Sequence, residues 1–133
     1  MVKKVTNISE VPIDESLTPK GGWAQLHIKW LVSDTNLGSR YTTVGRAVFV
    51  AGGSSEHVLH RHKNAEEIII VLKGHGQFIS GEDAPVPIGP GDVCYIPPLV
   101  PHAFKNLSPN EDLEVFVVYG GAPSLAKTGY EVL

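Results

Sequence analysis

No stretch of this 133-residue chain carries an apolar stripe at helical spacing for ten residues or more. Instead, fourteen glycines and ten prolines cut it into short runs rich in β-branched and aromatic residues. Runs of that kind, each bounded by turn-forming residues, predict strands. "WAQLHIKWL" (23–31) alternates cleanly, with Leu26, Ile28 and Trp30 on one face and Gln25, His27 and Lys29 on the other. "RYTTVGRAVFV" (40–50), "HVLHRH" (57–62), "EEIIIVL" (66–72), "VCYIP" (93–97), "HAFKN" (102–106) and "LEVFVVYG" (113–120) follow in the same manner. Many short strands between tight turns predict an all-β domain, an antiparallel sandwich or barrel. The chain reads as one domain over 1–133. Within it, 1–22 is an arm or strap, 23–120 the barrel and 121–133 an irregular tail.

Several function classes are disfavoured by charge and composition. The net charge is -3, so no basic face is expected to attract nucleic acid. The apolar run at 68–72 is five residues long, against the roughly 20 that a membrane helix needs. Cys94 is the single cysteine, which rules out an intramolecular disulfide and predicts a cytoplasmic protein. Two lysines near the N-terminus have no apolar stretch behind them, so no secretory leader is expected.

The most polar cluster, "HRHKNAEE" (60–67), abuts the most apolar run, "IIIVL". His60 and His62 are i and i+2 on a strand, so their rings share a face. Glu67 opens the next strand, and a hairpin would bring it beside the pair. His102 could reach the same point from another strand. Three imidazoles and a carboxylate suit Fe, Mn, Co, Ni, Cu or Zn. Single histidines on strands are more often surface or core residues than ligands, and His27, His57 and His75 are read that way.

Residues 53–74, "GSSEHVLHRHKNAEEIIIVLKG", resemble the first motif of the cupin superfamily: glycine, a spacer, His-x-His, then Glu, six residues and Gly. Residues 91–106, "GDVCYIPPLVPHAFKN", resemble the second, with Gly91, Pro97, His102 and Asn106 in place. Two departures stand out. Six residues separate Gly53 from His60 where five are usual, which predicts a longer turn. Leu99 occupies the place of a turn glycine, and a turn of different shape is expected rather than a strained leucine.

The resemblance implies a double-stranded β-helix, the jelly-roll or cupin barrel of two antiparallel sheets, with His60, His62, Glu67 and His102 as ligands of one divalent transition metal, Fe(II) favoured. It further implies a small metal-dependent enzyme acting on a small organic substrate, by dioxygenation or by Lewis-acid chemistry. Glu67 is then ligand and proton acceptor. Tyr95 and Arg46 are catalytic candidates, as phenolic proton donor and carboxylate partner, with Tyr41 and Phe104 nearby. An oxygen-independent isomerase or lyase is the alternative, although Ile69 stands where some small cupin lyases carry a catalytic tyrosine. A sensory, non-catalytic cupin is the third reading. In "IIIVL", Ile69 and Val71 share parity with Glu67 and face inward. Ile68, Ile70 and Leu72 then face outward and need cover. Val11, Ile13 and Leu17 of the arm could supply it, or a second subunit near Trp23 or Trp30, so a homodimer is expected.

Overall fold

The structure, a computed structural model, describes residues 4–133. Its strands are β1 (Trp23–Ala24), β2 (Leu26–Val32), β3 (Thr42–Phe49), β4 (Ser55–His62), β5 (Glu66–Lys73), β6 (Gly76–Ser80), β7 (Val86–Ile88), β8 (Val93–Ile96), β9 (His102–Asn106), β10 (Leu113–Gly120) and β11 (Tyr130–Val132). Three single 3-10 turns, Ile8–Glu10, Pro19–Gly21 and Ala126–Thr128, complete the regular structure. One antiparallel sheet runs β1–β4–β9–β6–β7, with β11 also paired to β4; the other runs β2–β3–β10–β5–β8. From β3 onward nearly every connection crosses between sheets, the winding of a jelly-roll barrel. No helix among the described residues is long and apolar enough to cross a membrane.

Strand alternation builds the core. Leu113, Val115, Val117 and Tyr119 point inward from β10, and Ala47 and Phe49 from β3. On β5 the inward set is Glu67, Ile69 and Val71, while Ile68, Ile70 and Leu72 are half-buried outside, as their parity requires. Each large aliphatic taken from water contributes about 1.5–3 kcal/mol. The outer groove over Ile70, Phe116 and Val118 is edged by Val5 and Ile8. The arm therefore approaches that face through residues other than those anticipated. Ile13 is exposed, and Leu17 packs against the core instead. The arm is pinned to β2. Asp14 N–H donates to Ile28 O (2.8 Å) and Lys29 Nζ to Ile8 O (3.0 Å).

Four local expectations differ from the structure. Residues 121–133 are not irregular: β11 zips onto β4, pairing Tyr130 with His62 and Val132 with His60. The extra residue before His60 does not lengthen a turn. It sits in β4 as a bulge, between the pairs His57–Phe104 and His60–His102. Glu67 does not reach His60 and His62 through a hairpin, because β4 and β5 belong to opposite sheets. The chain crosses over at 63–65, where Asn64 N–H donates to Thr128 O (2.7 Å). Finally, the turn before His102 keeps the glycine-like shape, with Leu99 at φ +71°. Its N–H donates to His62 O (2.8 Å), which ties this turn to the strand that carries the histidine pair.

A left-handed non-glycine residue costs about 1–2 kcal/mol, and glycine returns roughly 0.5–1 kcal/mol of that as lost chain entropy. The Leu99 side chain is exposed and has little packing to lose. Leu99→Gly is therefore expected to stabilise the protein by about 0.5–1 kcal/mol. A higher denaturant midpoint at constant m-value supports this; a lower midpoint contradicts it.

Candidate metal centre

The bulge in β4 sets the site. Inward parity holds at Ser55 and His57, and resumes at His60 and His62 once the bulge has used the extra residue. His102 on β9 lies in register with His60. Glu67 arrives from the facing sheet, on a rung with Tyr119 of β10. One ligand atom from each of His60, His62, Glu67 and His102 lies within 4.8 Å of all the others, so the group can hold one metal ion. All four side chains are buried, none more than 3% exposed.

The outer nitrogen of each ring fixes its tautomer. His60 Nδ1 faces Val58 O at 2.7 Å and His102 Nδ1 faces Val100 O at 2.9 Å, so both nitrogens carry a proton and donate. His62 Nδ1 lies 2.8 Å from Thr128 Oγ1. Thr128 gives its own proton to Leu125 O (2.7 Å), so its oxygen accepts from His62. All three rings therefore turn Nε2 toward the centre, the orientation that outer hydrogen bonds impose on metal-binding histidines. His60 Nε2 and His62 Nε2 are buried without a hydrogen-bond partner. Such orphaned atoms are rare in folded proteins, and a cation among them satisfies both. The residues present fit a divalent transition metal.

The charges agree with this geometry. Burial alone raises the Glu67 pKa, but the hydrogen bond from His102, 2.8 Å from Oε1, leads the effects that outweigh it and hold the carboxyl at about 2. Burial, with repulsion from His102, lowers His60 to about 3, so this ring is neutral. Burial also lowers His102, but its bond to Glu67 wins and leaves its pKa above 6.5. His102 would have to give up its Nε2 proton to hold a metal ion.

Four neighbours escaped the sequence reading. His57 is buried, stacked between Trp23 (ring centroids 3.7 Å apart) and His60 (3.6 Å). Strict alternation from His60 puts His57 on the outer face; only the bulge turns it in. Tyr130 and Thr128 come from the segment read as a tail. Tyr130 OH donates to Gly21 O (2.8 Å), so its oxygen accepts from His57 Nε2 (3.0 Å). Tyr119 is buried with its ring 4.7 Å from His62, and burial pushes its hydroxyl well above the usual range.

Other candidates lie away from the centre. Tyr95 is exposed on the outer face of β8, since Cys94 and Ile96 take the inward positions; it donates to Glu66 at 2.9 Å. Arg46 points outward between Gly45 and Ala47 and pairs with Glu114 at 3.2 Å. Neither reaches the cluster, so of the expected catalytic set only Glu67 stands in it. Tyr41 is exposed; Phe104 is buried, its ring 6.2 Å from His102. His27 is exposed, and His75 is a surface residue beside Glu111 (3.2 Å).

A chamber of about 10 Å³ adjoins Glu67 inside the barrel, walled by His57, Ile69, Phe104, Val117 and Tyr119. It has room for about one water-sized molecule. A wider cleft of about 640 Å³ opens outside, and Tyr130 forms part of its wall.

Residues 46–119, more than half of the chain, match the Cupin_2 family model, described as a cupin domain. A Thermotoga maritima protein described as a predicted oxalate decarboxylase is 28% identical, with a TM-score of 0.74 over 88% of this chain and 98% of that one. A cupin-like protein from the same organism is also 28% identical, with a TM-score of 0.67 over 83% of this chain and 77% of its own. An uncharacterised protein of Methanocaldococcus jannaschii is 36% identical over 53 residues, 40% of this chain. That alignment spans only 42% of the relative's length.

Two outcomes follow from the hydrogen bonds. Thr128→Val keeps the shape but removes the acceptor for His62 Nδ1, and should weaken metal binding about 10–100-fold, while Thr128→Ser restores it. Equal affinity in the valine variant would show that Thr128 does not orient the ring. Because the proton on His102 competes with metal, apparent affinity should rise about tenfold per pH unit up to the raised His102 pKa and then level off. A competition titration across neutral pH reads this, and a flat profile contradicts it.

Proposed function

The chain belongs to the cupin family, and on that premise we propose that it is a metal-dependent enzyme acting on a small organic molecule inside its barrel. The observation that carries this is the pair of buried, unpartnered Nε2 atoms of His60 and His62 beside the Glu67 carboxylate. A divalent metal held by His60, His62, Glu67 and His102 would supply a Lewis acid for oxygen donors of the substrate and, as iron, electrons for dioxygen. The protein residues do the rest. Ile69, Phe104 and Val117 give the small chamber beside Glu67 apolar walls, which leave little water to screen charge developing there. Glu67, the carboxylate of the cluster, would be the group placed to accept a proton from a bound substrate.

Within this reading we favour an oxygen-dependent oxidoreductase of the dioxygenase type, with Fe(II). Its support is the chamber beside Glu67, which is apolar on most sides and large enough for a diatomic gas. One observation favours a proton-transfer enzyme, a lyase or isomerase, instead. The Tyr130 phenol, linked to His57, stands close to the cluster, its ring 5.2 Å from His60. No such group sits at Ile69, which is buried and aliphatic.

Supplying Fe(II)-loaded protein with enols, β-dicarbonyls and catechols in an oxygen electrode separates the two. The oxygen-dependent reading expects dioxygen uptake with substrate loss, no turnover under argon, and loss of both in Glu67→Gln. Turnover that persists unchanged under argon, and falls in Tyr130→Phe, would replace it with the proton-transfer reading.

A further inference from the structure

We infer that the site selects molecules carrying at most one negative charge, neutral or monoanionic with an aromatic or aliphatic body, and rejects dicarboxylates and phosphates. The inference rests on the metal-dependent reading above and adds a substrate class to it. Its basis is the distribution of charge from the ligand cluster outward.

Inside the barrel, the buried polar set among the described residues includes Glu67 but no lysine or arginine. Arg46, the cation nearest in sequence to the inward rungs of β3, faces out and is engaged by Glu114. The chamber beside Glu67 is otherwise walled mainly by apolar side chains. With three neutral imidazoles and one carboxylate, a divalent ion keeps a single net positive charge, which balances one anionic group. A second anion beside the cluster has no cationic partner, and burying an unpaired charge costs several kcal/mol.

The cleft outside Tyr130 repeats this preference. The outer cleft, about 640 Å³, has the size of a small-molecule site. Tyr130 forms the wall between this cleft and the centre, its ring 5.6 Å from that of His62, and Thr43, in register with Tyr119, lines the same wall. Its acids are Asp14 and Asp34, and among the described residues lining it Lys127 is the one cation. Lys127 is already paired with Asp34 at 3.0 Å. Asp14 accepts from Trp30 Nε1 at 2.8 Å and from Ser16 N–H at 3.0 Å, so it is fixed in place rather than free to swing away. The cleft thus carries one uncompensated negative charge. Leu17, Trp30, Leu125 and Tyr130 add apolar and aromatic surface suited to a ring or an alkyl chain. An oxalate-like dianion therefore meets acids in the cleft, where the one lysine is already paired, and among the described residues no cationic side chain stands beside the cluster.

Benzoate and phthalate share a ring and differ by one carboxylate. Calorimetric titration of each into metal-loaded protein at neutral pH tests the inference. Benzoate should bind about tenfold more tightly or better. Asp34→Asn, which releases Lys127, should narrow that ratio by strengthening phthalate binding. Phthalate binding as tightly as benzoate, no binding of either, or a ratio unchanged in Asp34→Asn would each overturn the inference. Chelator-treated protein separates the two readings. Benzoate preference that persists unchanged without metal would remove the metal from the account while leaving the charge selection in place.

Discussion

Glu67 is a charged carboxylate at the dry centre of the barrel, and the rest of the structure answers to it. An isolated carboxylate in such a place costs several kcal/mol and would protonate instead. Here it stays ionised because His102, one of three imidazoles converging from the opposite sheet, holds it at 2.8 Å. The hydrogen bonds behind those rings turn every Nε2 inward, leaving two without partners. The cluster is thus a half-satisfied polar network, and a divalent cation is the species that completes it.

Two backbone devices create this convergence. The crossing at 63–65 carries the chain from the sheet holding His60 and His62 to the sheet holding Glu67, so that histidines and carboxylate face each other across the barrel. The bulge in β4 returns the strand to inward parity and stacks His57 behind His60. The C-terminal strand β11 then closes the flank of β4 opposite β9. Thr128 and Tyr130 from this last segment touch His62 and His57, so the final dozen residues complete a site whose ligands lie far earlier in the chain.

Much of this was legible in the sequence, for reasons that also mark its limits. Strand alternation and glycine–proline punctuation gave the all-β class, and the inward set on β5 followed from parity alone. His60, His62, Glu67 and His102 stood out because their spacing matches two motifs in order. What failed were features that a period of two cannot encode. A bulge inverts parity, so the spacing did not place His57 behind His60, and it was read only as a surface or core residue. Tyr95 and Arg46 were chosen by chemistry, but each lies one residue out of phase with the interior. The C-terminal strand is three residues long, too short to show alternation, although Gly129 before "YEV" was a usable sign of a turn into a strand. Leu99 adopts the backbone of the glycine it replaces, since the tie to His62 O demands that shape more than the side chain resists it.

The central claim is that these four side chains form a site for one metal ion, and metal content measures it most directly. Protein purified without chelator or nickel resin, reconstituted with Fe(II) and desalted, is assayed by elemental analysis alongside His102→Ala and His75→Ala. The account predicts close to one metal per chain in the native protein and in His75→Ala, and little in His102→Ala. Full occupancy in His102→Ala, or equal loss in His75→Ala, would contradict it.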